Sequence, residues 1–90
     1  MTGRAIRRSS ELAVVERPDH AVILDLRLLD KPDPMHLDGT ALAIWRAIDG
    51  QRDRTAIVAA VASVYRVSSE DVEPDVASFL DDLERRGLIV

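Results

Sequence analysis

The sequence contains no cysteine and very few aromatic residues, and both scarcities limit what the chain can be. Without cysteine there is no disulfide, no thiolate zinc site and no thiol catalysis. A small domain that needs no disulfides suits the cytoplasm, where we expect this chain to reside. Trp, Tyr and Phe each occur once, so the core has to be built from Leu, Ile, Val and Ala.

The sequence also lacks long apolar runs and a positive charge balance. No segment reaches the roughly 20 apolar residues that cross a bilayer, so we expect no membrane segment. The net charge is −4 and the pI about 5, whereas a domain that binds nucleic acid usually has a pI above about 9. The one basic cluster, Arg4, Arg7 and Arg8, lies in residues 1–10, which we interpret as a flexible N-terminal tail. Residues 11–90 then form a single domain.

Groupings of residues that carry chemistry are missing as well. A chain of 90 residues needs most of its apolar side chains for its own core and has few left for an enclosed pocket. His20 and His36 are far apart, and no further ligands show metal-binding spacing around them. No glycine-rich phosphate loop occurs, and no serine has a histidine at an informative spacing. We therefore expect no metal, no cofactor and no enzymatic activity.

The first third of the chain has the pattern of β-strands. In residues 21–29 the second half alternates, with Leu24, Leu26 and Leu28 on one face, which predicts a half-buried strand. Two prolines make residues 31–34 a loop. Because prolines beside a strand are tolerated only at the edge of a sheet, we place the short strand that follows at an edge. The predicted strands are Leu12–Glu16, residues 21–29 and Met35–Leu37.

The remaining chain has the pattern of three helices, each with a capping residue at its start. Asp38 and Asp53 are good N-caps for the first two helices. Ser68 and Asp71 have the spacing of a capping box before the third, and Gly87 ends it. The predicted inward faces are Ala41, Leu42, Trp45 and Ile48; Ile57, Val61 and Val64, flanked by Val58 and Tyr65; and Val72, Val76, Phe79 and Leu83.

Pro74 and Leu80 do not fit a simple third helix. A proline ring inside a helix clashes with the preceding turn, so either the helix kinks at Pro74 or residues 69–72 form a separate turn and the regular helix begins at Pro74. We favour the second alternative, because proline suits the first position of a helix. Leu80 lies to one side of the apolar stripe on a helical wheel, near Ala77 and Glu84. It is interpreted equally well as lining a groove or as part of the core.

Three strands followed by three helices predict an α+β fold, a winged helix-turn-helix-like arrangement with a three-stranded antiparallel sheet. Such folds often place the third helix in the major groove of DNA. Here that helix carries seven acidic residues from Glu70 to Glu84, and no Lys or Arg before Arg85. Phosphates would be repelled by this surface, so we expect no nucleic-acid partner. A winged-helix DNA-binding regulator stays only as an alternative.

From Leu37 onward a series of short motifs follows in order. They are Leu37-Asp38-Gly39-Thr40-Ala41, Ile44-Trp45, Ile48-Asp49-Gly50, Ile57-Val58, Tyr65, Asp75-Val76 with Phe79-Leu80 and Leu83, and Gly87-Leu88-Ile89. Each motif alone is a helix cap or a core pattern, but their order and intervals are specific. Together they resemble the PqqD-like family, the precursor-peptide recognition elements of ribosomal peptide natural-product pathways, which include lasso-peptide leader-binding proteins.

The resemblance implies that the chain binds the leader segment of a ribosomally made precursor peptide. The leader would add as a strand to the short third strand, beside the third helix, and be presented to a modifying enzyme such as a leader peptidase, a cyclase or a radical SAM enzyme. In this mode the edge backbone provides affinity and side-chain pockets provide specificity. The implied peptide-binding residues are Met35, His36, Leu37, Glu73, Val76, Ala77, Leu80, Leu83 and Glu84.

Two further interpretations of the same surface stay open. The domain could be a docking subunit that uses its edge strand to join a partner enzyme. The edge strand could also pair with its own copy, because an edge presents unpaired N–H and C=O groups. A homodimer is therefore an alternative to a monomer.

Overall fold

The computed structural model describes residues 3–31 and 33–90 of the chain. It confirms the predicted α+β fold, a three-stranded antiparallel sheet followed by three helices. Met1, Thr2 and Pro32 lie outside the described residues, so the predicted tail and loop are assessed only at their other positions. The elements are β1 (Leu12–Glu16), β2 (Ala21–Asp25), a 3-10 turn (Leu26–Leu28), β3 (Met35–Leu37), α1 (Gly39–Ala47), α2 (Arg54–Tyr65) and α3 (Ser69–Arg85).

Strand β2 lies in the middle of the sheet and pairs antiparallel with both neighbours. Ile23 is opposite Val14 of β1 and opposite Met35 of β3. The prediction that Met35–Leu37 is an edge strand is confirmed, and β1 forms the other edge. One face of the sheet packs on the helices through Ala21, Ile23 and Leu37, which are at most 3% exposed.

The predicted second strand is too long, and its predicted buried face is wrong. The strand ends at Asp25, whose carboxylate accepts a hydrogen bond from the Arg27 backbone N–H (3.0 Å) and starts the 3-10 turn. Leu26 and Leu28 are 41% and 50% exposed. The buried positions are the odd-numbered Ala21 and Ile23, because the local capping bond ends the strand before the Leu alternation can reach the core.

Helices α1 and α2 pack their apolar faces mostly as predicted. Leu42, Trp45 and Ile48 are buried, and so are Ile57 and Val61. The Asp53 cap is confirmed, since its carboxylate accepts the Ala56 N–H at 2.8 Å. The prediction is wrong for Val64, which is 68% exposed. The N-cap positions of Asp38 and Ser68 are confirmed, although neither side chain makes the capping hydrogen bond.

Helix α3 is continuous from Ser69 to Arg85, so the prediction of a separate turn before Pro74 is wrong. Val72 and Val76 lie on either side of the proline and are both buried on the same face. Burying this shared stripe holds both halves in one helix, because the proline removes only one backbone hydrogen bond near the N-terminal end. The helix ends with Gly87 at φ +71°, where Leu88 N–H donates to the Leu83 carbonyl (2.9 Å), a Schellman motif.

Part of the expected flexible tail is hydrogen-bonded to the domain. Arg7 and Val90 exchange backbone hydrogen bonds (3.2 and 2.7 Å), and Ser9 N–H donates to the Leu88 carbonyl (2.9 Å). The Arg8 guanidinium lies 4.4 Å from the centre of the Trp45 ring, and its Nη2 donates to the Trp45 carbonyl (2.8 Å). Burial lowers the pKa of Arg8. The interpretation of this stretch as a loose tail is therefore wrong at residues 6–9.

No helix within the described ranges has the length and apolar character needed to cross a membrane.

Candidate functional site

The hydrogen bonds of the β1–β2 ladder determine which way the β2 backbone groups point. At its two ends, Arg17 N–H donates to the His20 carbonyl (2.8 Å) and Leu26 N–H donates to the Glu11 carbonyl (2.9 Å). Antiparallel pairs alternate between bonded and non-bonded, so every second pair between these two is also bonded. The N–H and C=O groups of the odd-numbered β2 residues, such as Ala21 and Ile23, therefore point away from β1 and toward β3.

The same alternation determines the free edge of β3. Leu37 is opposite Ala21 and Met35 is opposite Ile23, so the backbones of Leu37 and Met35 point into the sheet. His36 is opposite Val22 in a non-bonded pair, and its N–H and C=O point outward from the edge. Pro34 has no N–H. Within β3, His36 thus supplies the one outward N–H and the one outward C=O that an added strand can use.

A small groove lies between the start of β3 and the end of α3. Met35 is partly buried and lines a cavity of about 70 Å³ together with Arg86 and Leu88, which follow α3. The cavity is therefore lined by both apolar and charged side chains. Its other lining residues are Ile23, Asp25, Leu28 and Asp33.

An ion pair joins the sheet to the end of α3 at this groove. Arg27 Nε and Nη2 donate to the two carboxylate oxygens of Asp25 (2.9 and 2.8 Å). Arg27 Nη2 also donates to the Gly87 carbonyl (3.0 Å), at the negative end of the helix dipole. The hydrogen bonds from Arg27 lower the pKa of Asp25. The Asp25–Arg27 pair therefore fixes where the end of α3 stands relative to β2.

The two flanks of α3 face different parts of the molecule. Arg86 shares the groove with Met35, and Phe79 lies seven residues earlier on the same flank, partly buried. Glu84, on the opposite flank, lines a depression with Arg54 at the start of α2 and with Ile6. The flank next to β3 therefore carries Phe79 and Arg86.

The nine residues predicted from the sequence are distributed over three places. Met35, His36 and Leu37 form β3. Glu73, Ala77 and Glu84 share the flank of α3 that faces α2, at i, i+4 and i+11. The interpretation of Leu80 as lying off the core stripe is wrong, since it is 0% exposed. The fully buried positions of α3 are Val76, Leu80 and Leu83.

Sequence reasoning missed Phe79, Arg86 and Leu28 as residues beside β3. Phe79 was assigned to the core, yet it is only partly buried and packs against the edge of the core. A signal for the correct flank was present, because Gly87 ends the helix and Leu88 returns toward the sheet. Phe79 lies two turns before Arg86 on the same flank of the helix.

A larger cavity, of about 620 Å³, lies between α1 and α2. Leu42, Arg46, Arg52 and Tyr65 are among its lining residues. Its arginines are already engaged, Arg46 with Glu16 (3.1 Å) and Arg52 with Asp49 (3.3 Å). In the ranges that the structure describes, His, Asp and Glu side chains form no group of three that could hold a metal ion.

Comparison with known proteins identifies the family. Residues 21–89 match the family described as coenzyme PQQ synthesis protein D, PqqD. The chain belongs to the PqqD family. The match runs from the first residue of β2 to the penultimate residue of the chain, so it includes β3, α3 and the groove. A search of curated proteins finds no match.

Two solved structures share this PqqD-family fold. One is described as "TbiB1 in Complex with the TbiA(beta) Leader Peptide"; it has a TM-score of 0.77 and 25% identity, and the alignment covers 92% of this chain and 93% of that one. The other is "Lasso peptide synthetase B1 complexed with the leader peptide", with a TM-score of 0.75, 23% identity, and coverage of 96% and 98%. Both of those proteins are bound to leader peptides.

Proposed function

We propose that this chain binds the leader segment of a ribosomally made precursor peptide by strand addition at β3. The observation that carries the proposal is the outward-pointing N–H and C=O of His36, at an edge that has a groove beside it. Backbone bonds at the edge provide affinity that depends little on sequence, and the groove lined by Met35, Leu28 and Arg86 provides selectivity. Membership of the PqqD family and the leader-bound structures of similar fold support the same function.

The domain acts without catalysis of its own and presents its peptide to a partner. Among the described residues, no group of three His, Asp or Glu side chains could hold a metal ion. The bound leader is passed to a modifying enzyme, such as a leader peptidase, a cyclase or a radical SAM enzyme, in the cytoplasm. Purified protein incubated with the precursor alone should leave the mass of the precursor unchanged.

The proposed site is tested by calorimetric titration with a synthetic leader segment of a precursor peptide. His36→Pro removes the outward N–H without removing a hydrogen bond of the sheet, so we expect binding to weaken by at least about tenfold, the cost of about one net hydrogen bond. His36→Ala keeps the backbone N–H and should bind nearly as the wild type does.

Val14→Pro is the matched control, because its N–H also points outward but at the opposite edge of the sheet. This variant should bind the leader normally. Thermal melts of all variants establish that they are folded. If folded His36→Pro binds as tightly as the wild type, the leader does not add to β3.

A further inference from the structure

The edge at β1 has more unpaired backbone than the edge at β3. The bonded pairs with β2 use the odd-numbered residues of β1, so the N–H and C=O groups of Leu12, Val14 and Glu16 point outward. In the part of the chain that the structure describes, β2 is the one strand paired with β1. The backbone groups of Leu12 and Val14 and the Glu16 N–H are therefore available to another strand, while the Glu16 carbonyl also accepts a hydrogen bond from Arg17 Nη1 (3.2 Å).

Strand β1 lacks the usual protection of an exposed edge. Natural edges are shielded by Lys, Pro, bulges or very short strands. Within Leu12–Glu16 there is no Lys and no Pro, the pairing with β2 is regular over all five residues, and the one charged side chain, Glu16, is held by Arg46. Val14 and Val15 are 36% and 50% exposed. An apolar, regular edge of this kind favours pairing with another strand.

The sequence of β1 is complementary to itself in the antiparallel direction. When Val14 is opposite Val14 of a second copy, Leu12 is opposite Glu16, and all three bonded pairs join outward-pointing backbones. On the face of the sheet turned away from the helices, Ala13 is then opposite Val15. One step further out, Glu11 is opposite Arg17 of the second copy, in a pair without backbone bonds where side chains approach most closely.

Other registers lose this match. A slip of one residue places outward backbone groups opposite inward ones, so the ladder cannot form. A slip of two residues keeps the backbone pattern but places Glu11 opposite Val15, or Arg17 opposite Ala13. The register centred on Val14 is therefore the one that places Glu11 opposite Arg17 of the second copy. Because the contact has twofold symmetry, this ion pair forms twice.

We propose that β1 binds β1 of a second copy of this chain, antiparallel, with Val14 opposite its own counterpart. The two sheets then form one continuous six-stranded sheet around a twofold axis. Each β3 stays at an outer end of this sheet, so its free edge and groove are unaffected. The dimer does not depend on the peptide-binding proposal, which concerns the opposite edge.

Sedimentation equilibrium of the full chain tests the proposal, using two charge reversals. Glu11→Arg places two arginines opposite each other, and Arg17→Glu places two glutamates opposite each other. Each single variant should self-associate at least about tenfold more weakly than the wild type. In a dimer of one copy of each variant, the introduced arginine is opposite the introduced glutamate, and Arg17 is opposite Glu11. Both contacts are attractive, so an equimolar mixture of the two variants should recover dimers.

Val14→Pro should also lose self-association, whereas His36→Pro should dimerise as the wild type does. Thermal melts check that the variants are folded. If Val14→Pro does not fold, the mixture of the Glu11→Arg and Arg17→Glu variants decides the result. The proposal is overturned if the wild type stays monomeric up to about 1 mM. It is overturned equally if dimers persist in both single charge variants, or if the mixture fails to recover them.

Discussion

The two edges of the sheet offer the same kind of backbone hydrogen bonds but differ in what lies beside them. Strand β3 has three residues and one outward N–H, and the end of α3 forms a groove next to it. Strand β1 has five residues and three outward N–H groups, and its own side chains are the main feature available for recognition. The number of free backbone groups therefore does not identify a peptide site. Under the proposed function, the peptide site is the edge that has a groove of side chains beside it, because such a groove can select one sequence.

The same comparison separates two kinds of partner. A groove with apolar and charged walls suits a foreign strand whose side chains enter it. A plain edge has only its own sequence for selectivity, and a self-complementary sequence suits a second copy. The groove beside β3 depends on the packing of α3, on the side chains of its flank and on the Asp25–Arg27 pair. Variants that change these features should therefore affect the two edges differently.

The largest expected effect comes from Leu80→Asp, which disrupts the packing of α3 against the core. Leu80 is 0% exposed, and truncating a buried leucine costs about 2–5 kcal/mol before the burial of a carboxylate is added. Total stability of a small domain is about 5–15 kcal/mol, so we expect unfolding. Peptide binding at β3 and self-association at β1 should be lost together.

Circular dichroism and thermal melts measure this effect. Leu80→Met is the matched control, since a swap of similar volume costs less than about 1.5 kcal/mol. A folded Leu80→Asp variant that melts near the wild-type temperature would show that α3 does not bury this residue.

A smaller effect, confined to one edge, is expected for Phe79→Ala. The ring is partly buried on the flank of α3 next to β3, so its loss should cost less than the roughly 3 kcal/mol of a fully buried ring. Leader binding should weaken by about tenfold, equal to about 1.4 kcal/mol. Self-association through β1 should be unchanged.

Glu84→Ala is the control for this prediction, because Glu84 lies on the opposite flank of α3. Titration of both variants with the leader distinguishes the flanks. Weaker binding by Glu84→Ala and normal binding by Phe79→Ala would mean that the peptide contacts the side facing α2.

The smallest effect is expected from loosening the Asp25–Arg27 pair, and it depends on pH. Because the folded-state pKa of Asp25 is lowered by Arg27, its stabilisation is present above the unfolded carboxyl pKa and is lost as the pH falls through the folded value. Asp25→Asn should be less stable than the wild type at pH 7. Its melting temperature should also decline less between pH 5 and pH 2, a range around the ordinary carboxyl pKa of about 4.

Melting curves across this pH range measure the effect. Asp33→Asn removes a carboxyl from the same cavity without touching the hydrogen bonds of Arg27, and it serves as the control. Some pH dependence should persist in Asp25→Asn, because hydrogen bonds also lower the pKa of Asp19 and Asp49. Parallel curves for the wild type and Asp25→Asn would show that the pair does not stabilise the fold.

Sequence patterns predicted those features that depend on neighbouring residues. The bounds of Leu12–Glu16 and Met35–Leu37, the Asp53 cap and the stop at Gly87 all follow from local rules of pairing, capping and turn formation. The end of β2 is the exception. The Asp25 cap that ends the strand is also local, but the Leu alternation after it gave the stronger signal.

Other errors came from competition between distant residues. Pro74 indicated a break, but buried valines on both sides keep α3 continuous. Val64 has helical spacing for the core, yet it is 68% exposed, because α2 turns that side away from α3 and the sheet. Helical spacing identifies a stripe, but the width and centre of the buried stripe depend on what packs against it.

The amino-acid sequence by itself determined the order of the elements, the edge position of β3 and the motifs that resemble the PqqD family. These depend on residues close together in the chain, where spacing defines geometry. Only the tertiary structure decided that His36 presents the outward N–H, that Phe79 is more exposed than Leu80, and that Arg86 at the end of α3 lines a cavity with Met35 of β3. Those facts depend on ladder parity and on the rotation of a helix about its own axis, and both are determined by contacts between residues far apart in sequence.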